Sequence, residues 1–82
     1  MPLNELAAPE RVVGEREVRR AMGKRLLRKV FVALDSDPKV IAGLVETAAE
    51  TGVEVEEAES KLKLGRACAI DRPAAAAGLL KS

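Results

Sequence analysis

The chain has 82 residues, of which 48% are hydrophobic and 33% charged, and its formal net charge is +1. This length leaves room for one domain, which would bury roughly 60% of the surface of the unfolded chain, and the composition excludes a disordered segment. With no histidine and one cysteine, the chain lacks the usual ligands of structural zinc and the usual members of a catalytic triad. We therefore expect one folded domain over residues 1–82 that is not an enzyme.

Cations are concentrated near the N-terminus of the chain. From Arg11 to Lys29 there are eight basic residues against two acidic ones, Glu15 and Glu17, which is a local balance of +6. The compensating acids lie further along the chain, chiefly at Glu46, Glu50, Glu54, Glu56, Glu57 and Glu59. This asymmetry favours a polyanionic partner over a role in solubility alone.

The first predicted elements are short. LNELAAPE predicts a helical turn that ends at Pro9, and the run RVV predicts a strand that ends at Gly14. EREVRRAM then predicts a helix with one packed face. Its opposite arc carries four cations, Arg16, Arg19, Arg20 and Lys24.

The middle of the chain alternates between strand and helix. KVFVAL, at 29–34, predicts a strand buried on both faces, and DSDP predicts a helix cap directly before Pro38. The helix PKVIAGLVETAAE is expected to end at Gly52. VEVEEA predicts a half-exposed strand with Val53, Val55 and Ala58 inward and its glutamates outward.

The C-terminal part leaves one assignment open. ESKLKLGRACA predicts a short helix, and Cys68 is expected to be a buried hydrophobe in a reducing compartment. After Pro73, the run AAAAGLL favours a helix by propensity, but a strand packed between helical layers also needs small side chains. The alternation of elements predicts a three-layer α/β/α domain. No segment approaches the length of a membrane span and no targeting segment is visible, so we expect a cytoplasmic protein without a membrane partner.

The basic helix suggests a nucleic-acid partner of a particular kind. Phe31 is the only aromatic residue, which argues against a platform that stacks single-stranded bases. Gly14, at a junction from strand to helix, would offer backbone N–H groups and a positive dipole end to a phosphate. Arg16 and Arg20, one turn apart, could reach into a groove. A charged helix face that is merely solvated remains the alternative.

Three segments resemble a known family: GEREVRR at 14–20, VFVALDSDP at 30–38, and LGRACAI at 64–70 followed by PAAAAGLL. Over about residues 10 to 80 the chain resembles the ribosomal protein L-seven-Ae / L-thirty-e family, especially its short bacterial YbxF-like members. The resemblance implies a three-layer sandwich with a four-stranded mixed sheet, in which the alanine run is the last strand. It also implies a monomeric, ribosome-associated protein that binds kink-turn RNA and needs no cofactor or metal. A kink-turn is a sharply bent internal loop closed by tandem sheared G·A pairs.

The resemblance also assigns roles to particular positions. Gly14 and the backbone of Glu15 match the phosphate-approaching helix start, while Arg16, Glu17 and Arg20 would read the sheared guanines. A second RNA-facing loop would hold a nucleotide flipped out of the kink. The whole predicted RNA-binding set is Gly14, Glu15, Arg16, Glu17, Arg20, Lys24, Ala58, Glu59, Ser60 and Lys61.

Three positions depart from the family pattern. Arg16 stands where many members have Asn, and an arginine can donate but not accept. Arg25 stands where the family usually ends its helix with Gly, so Gly23 is expected to serve as the cap. Ala69 replaces a glycine, which matters if the backbone there needs a positive φ. The rival interpretation is a protein-interaction module of the same fold that docks through its acidic strand face in ribosome assembly.

Overall fold

The computed structural model describes residues 10–81, and the predicted helical turn before Pro9 lies outside them. Four strands and three helices follow one another in the order β1, α1, β2, α2, β3, α3, β4. Their bounds are Arg11–Val13, Glu15–Gly23, Leu27–Ala33, Pro38–Thr51, Glu54–Ala58, Lys61–Ala67 and Ala76–Leu80. None of the helices in this part of the chain is long and apolar enough to cross a membrane.

The four strands form one mixed sheet in the order β1-β4-β2-β3. β2 and β3 are parallel, whereas β4 runs antiparallel to both of its neighbours. β2 begins two residues earlier than predicted because Leu27 already pairs with Leu80, and a shift in register at Arg28 separates that pair from the next. β4 is thus a central strand and β3 an edge strand.

Two hydrophobic cores lie on opposite faces of the sheet. The first lies beneath α1 and α2, and its buried members are Val18, Ala21, Met22, Leu27, Val30, Val32, Leu44, Ala48, Val53 and Ala76. The second lies beneath α3 and consists of Phe31, Ala33, Ala58, Leu64, Cys68, Ala74, Ala77 and Leu79. The predicted three-layer α/β/α sandwich with a four-stranded mixed sheet is therefore confirmed.

The alanine run is a strand because of its position between β1 and β2. Ala76 packs into the first core and Ala77 into the second, so both faces need small side chains. At Gly78 an added Cβ would lie 2.6 Å from a methyl carbon of Leu27. Close packing on both sides outweighs the helix propensity of alanine here.

The ends of α2 follow the predicted signals. The Asp37 carboxylate accepts a hydrogen bond from the Lys39 N–H at 2.8 Å, and Pro38 occupies the first turn. Gly52 ends the helix in the left-handed conformation, with φ of 70°. Local sequence alone determines both ends.

The prediction for β3 is only partly correct. Val53 and Ala58 are both buried, but Val53 belongs to the first core and Ala58 to the second. Residues separated by an odd number of positions along an extended chain point to opposite faces of the sheet, and Val53 directly precedes β3. Val55 is 36% exposed, because β3 is an edge strand. On the α3 face, the Lys29 ammonium lies 2.9 Å from the Glu56 carboxylate, so the glutamates do not all face outward as a separate acidic surface.

Among residues 10–81, two residues other than glycine adopt a positive φ, and both stand where the sequence departs from the family pattern. Arg25 has φ of 58° and Ala69 has φ of 60°. The expectation that Gly23 would serve as the cap of α1 is wrong: Gly23 is the last residue of the helix, Lys24 is its C-terminal cap, and Arg25 takes the left-handed conformation. Both residues are exposed, so no packing compensates directly for the cost of this conformation.

We expect Arg25→Gly and Ala69→Gly each to stabilise the fold by about 0.5 to 1 kcal/mol. The left-handed conformation costs a residue with a Cβ about 1 to 2 kcal/mol, and the larger unfolded-state entropy of glycine offsets part of that gain. Urea unfolding followed by circular dichroism would show a higher midpoint for each variant. An unchanged or lower midpoint would mean that the backbone relaxes at these positions without cost.

Cys68 is fully buried in the second core, as predicted. Burial raises the pKa of its thiol, although the neighbouring Arg11 guanidinium opposes that shift. The same guanidinium donates a hydrogen bond to the Cys68 carbonyl at 2.6 Å, which connects β1 to the end of α3. The thiol is thus held neutral as part of the core.

Candidate nucleic-acid interface

Four chain connections meet at one edge of the sheet. β1, β2 and β3 end there and β4 begins there, because β4 is antiparallel to the other strands. Backbone hydrogen bonds of 2.8 to 2.9 Å join the connections: Gly14 N–H to the Ala76 carbonyl, Ala33 N–H to the Ala75 carbonyl, and Leu34 N–H to the Ala58 carbonyl. With about 4.8 Å between neighbouring strands, Gly14 and Ala58 lie about 14 Å apart along this edge.

Gly14 has a conformation that only glycine adopts without strain. Its φ is 103° and its ψ is 144°, close to a region that side chains exclude. An added Cβ would meet no protein atom within 4 Å among the described residues. The glycine is therefore required by the backbone conformation, and the space beside it is open to a ligand.

The amide of Gly14 itself is not available to a phosphate. It donates to the Ala76 carbonyl, so the open N–H groups at this junction belong to the residues that follow Gly14. The first bond within α1 runs from the Val18 N–H to the Gly14 carbonyl at 2.9 Å. In residues 10–81 the amides of Glu15, Arg16 and Glu17 therefore have no acceptor, as at any helix start.

The side chains at the start of α1 divide into a paired and an unpaired group. The Glu15 carboxylate lies 2.8 Å from the Arg19 guanidinium, one turn further along the helix. Arg16, Glu17 and Arg20 are exposed, and among the described residues none of their side chains makes a hydrogen bond or ion pair. The open face of α1 thus presents two guanidinium groups around one carboxylate.

Lys24 lies apart from the other predicted residues on this helix. It is the C-terminal cap of α1, about 15 Å along the helix axis from Gly14. It is exposed, like Arg16 and Arg20, and continues their stripe at intervals of four residues. The structure therefore places Lys24 on the same helical face but at the opposite end.

The second predicted loop has two residues that support the fold and two whose side chains are accessible to a ligand. Ala58 is 1% exposed, and the Ser60 hydroxyl accepts from the Lys63 N–H at 3.1 Å as the cap of α3. The Glu59 carboxylate lies 2.9 Å from the Lys63 ammonium, and this pair is exposed. The Lys61 N–H donates to the Asp35 carboxylate at 2.8 Å, which holds the second loop against the β2–α2 turn.

The sequence prediction did not include the connection between α3 and β4. Residues 68–75 return to the same edge, where the Ala74 N–H donates to the Lys61 carbonyl at 3.0 Å and the Ala75 carbonyl accepts from Ala33. Arg72 and Asp71 are exposed in this connection. In the sequence, the dipeptide Arg72–Pro73 directly after Asp71 indicates a surface loop.

A sequence model described as the ribosomal protein L7Ae/L30e/S12e/Gadd45 family matches residues 5–82. The chain belongs to this family.

Relatives of this L7Ae/L30e/S12e/Gadd45 protein carry a common description. An RNA-binding protein of Geobacillus sp. is 38% identical over 76 residues, which is 93% of each chain. The RNA-binding protein YbxF of Geobacillus stearothermophilus is 36% identical over the same share of each chain. The family and these relatives confirm the expectation of a binding protein rather than an enzyme, and the YbxF-like resemblance is confirmed as well.

Solved structures show the same L7Ae/L30e/S12e/Gadd45 fold. The 15.5 kD RNA binding protein of Giardia lamblia superimposes with a TM-score of 0.86 at 26% identity, covering 98% of this chain and 68% of that one. A protein of unknown function from Bacillus halodurans has a TM-score of 0.85 at 20% identity, covering 98% of this chain and 81% of that one. The second likeness concerns the fold alone.

Proposed function

We propose that this L7Ae/L30e/S12e/Gadd45 family member binds RNA, and that it recognises a kink-turn with tandem sheared G·A pairs. The strongest support is the exposed group Arg16, Glu17 and Arg20, whose polar atoms make no side-chain contacts within the described residues. A surface kept only for solubility gains from mutual ion pairs, as Glu15 and Arg19 make. Three adjacent polar groups left unpaired are better matched to a partner that supplies both donors and acceptors.

The start of α1 would hold one RNA phosphate. The amides of Glu15, Arg16 and Glu17 point from the positive end of the helix dipole, and the absence of a Cβ at Gly14 leaves the approach open. A phosphate oxygen could then accept hydrogen bonds from several N–H groups at once. This contact positions the RNA but does not read its sequence.

The side chains beside that phosphate would read the sheared pairs. Arg16 and Arg20 can donate to guanine O6 and N7, and Glu17 can accept from guanine N–H donors. A glutamate between two arginines would weaken purely electrostatic attachment to phosphates. The contribution of Glu17 to binding therefore lies in accepting hydrogen bonds. An acid flanked by two arginines therefore favours base recognition over a nonspecific basic patch.

The second loop would contact the RNA at the other end of the edge. Glu59 and Lys61 are its available side chains, and the bond from Lys61 to Asp35 fixes the loop about 14 Å from Gly14. Ala58 and Ser60 would act through the backbone and the α3 cap. We propose this interface for a monomeric, cytoplasmic, ribosome-associated protein that forms one domain over residues 1–82.

The test compares two glycine variants on two RNAs. Gly14→Ala should weaken binding to a kink-turn RNA by about tenfold, because the added methyl group enters the phosphate approach. It should also cost about 1 to 3 kcal/mol of folding stability, because alanine is strained at φ of 103°. We therefore expect replacement of this glycine to lower folding stability as well as RNA affinity.

Gly52→Ala is the matched control. Gly52 also has a positive φ and open space around it, but it ends α2, away from Gly14. We expect similar destabilisation with unchanged RNA affinity, measured by fluorescence anisotropy under conditions where circular dichroism shows both variants folded. Equal affinities of the two variants, or equal affinity of the wild type for the kink-turn and for a duplex with G·C in place of G·A, would refute the proposal.

A further inference from the structure

A second group of exposed cations lies at the end of the molecule opposite Gly14. The Lys81 N–H donates to the Leu26 carbonyl at 2.8 Å, which holds the C-terminal segment against the turn between α1 and β2. Lys24 and Arg25 form that turn, and Arg28 is the extra residue where the β2–β4 register shifts. We define the distal basic surface as Lys24, Arg25, Arg28 and Lys81.

Long-range contacts build this surface. Arg28 is exposed because the register shift separates Leu27 from Lys29, so that Leu27 still faces the core. Lys81 is 56 or more positions away from Lys24 and Arg25 in the sequence, and it is brought to them by the pairing of Leu80 with Leu27 and by its own bond to Leu26. Leu26, which follows Arg25 in the turn, is 47% exposed.

The helix dipole explains only part of this cluster. Lys24 and Arg25 lie at the negative end of α1, where cations stabilise a helix. Lys81 belongs to no helix, and Arg28 lies in a strand. The dipole of α1 therefore does not account for Arg28 or Lys81.

The distal basic surface is continuous with the proposed RNA interface. Arg16, Arg20 and Lys24 follow one another at intervals of four residues along the exposed face of α1, and each step advances about 6 Å. A polyanion bound at Gly14 that extends along α1 would therefore reach Arg25 and Lys81. Phosphates spaced along a duplex match the exposed cations at the far end of this row.

We propose that the distal basic surface binds the phosphate backbone of an RNA duplex that flanks the kink. This inference rests on the proposed function, since the kink would set the direction of the duplex. The surface adds affinity and orients one stem along α1, whereas discrimination of the sheared pairs stays with Arg16, Glu17 and Arg20. The footprint on the RNA is consequently longer than the kink itself.

The test uses kink-turn RNAs that share one core and differ in stem length. One RNA has two short stems, and two others have one stem lengthened by a full helical turn on either side. For one of the lengthened RNAs, the plot of log Kd against log salt concentration should be steeper by about two to three than for the short RNA. The double variant Arg25→Gly, Lys81→Gln should remove most of that difference and leave the short RNA bound within about twofold.

Single substitutions provide the matched control. Lys81→Gln should lower the salt slope on the lengthened RNA by about one, whereas Arg66→Gln, which removes an exposed cation of α3, should not change it. Equal slopes of the wild type on all three RNAs, or equal losses of the double variant on short and long RNAs, would overturn the inference. Failure of the proposed function would instead appear as loss of preference for the kink on the short RNA.

Discussion

Glu17→Ala is expected to lose affinity for a kink-turn RNA while keeping or gaining affinity for a plain duplex. If Glu17 accepts from guanine N–H donors, its removal leaves those donors buried without a partner, at a cost of about 1 to 3 kcal/mol. On a duplex the same change removes a negative charge near phosphates, so binding should stay equal or improve slightly. Anisotropy titrations at one fixed salt concentration measure both effects.

Glu50→Ala is the control for this prediction. Glu50 is also an exposed glutamate on a helix face, but it belongs to the C-terminal half of α2. Its removal changes the net charge equally and should affect both RNAs alike, within about twofold. If Glu17→Ala instead tightened binding to both RNAs, α1 would be a nonspecific basic patch and base reading would be disproved.

Gly65→Ala is expected to have the largest effect on stability, a loss of about 3 kcal/mol. A Cβ at Gly65 would collide with the backbone carbonyl oxygen of Arg72 and would lie 3.4 Å from the Cα of Pro73. Because the obstructing atoms belong to the backbone, the clash is relieved only if the connection between α3 and β4 moves. For a domain of this size, such a loss lowers Tm by about 12 to 24 °C, which thermal unfolding by circular dichroism would detect.

Gly23→Ala separates this steric effect from the general effect of replacing glycine. Gly23 is the last residue of α1, and an added Cβ there meets no described atom within 4 Å. Alanine at that position should raise stability by about 0.5 to 1 kcal/mol. A Tm for Gly65→Ala within a few degrees of the wild type would show that the α3–β4 connection adjusts freely.

The part of the candidate interface at the start of α1 was predictable from the sequence, whereas the part formed by loops was less so. Gly14, Arg16, Glu17 and Arg20 follow from one segment, since a strand, a glycine and a helix place them within two turns. Loop residues depend on what they contact after folding. Ser60 proved to be a helix cap, and the α3–β4 connection reaches the same edge only because β4 returns there.

The sequence by itself determined the order of elements as far as α3, both ends of α2 and the basic face of α1. These depend on neighbours within a few residues: Asp37 before Pro38, Gly52 after the last turn, and cations at intervals of four.

Only the tertiary structure decided which residues accept strain and which distant segments are joined by hydrogen bonds. A window of sequence does not show that Arg25 takes a positive φ, or that β4 lies between two strands and must be built from alanine. Nor does it show that the Asp35 carboxylate accepts a hydrogen bond from the Lys61 N–H, 26 positions away, or that the Lys81 N–H donates to the Leu26 carbonyl in the turn after α1. These features depend on contacts between distant segments, where packing and backbone hydrogen bonds outweigh local propensity.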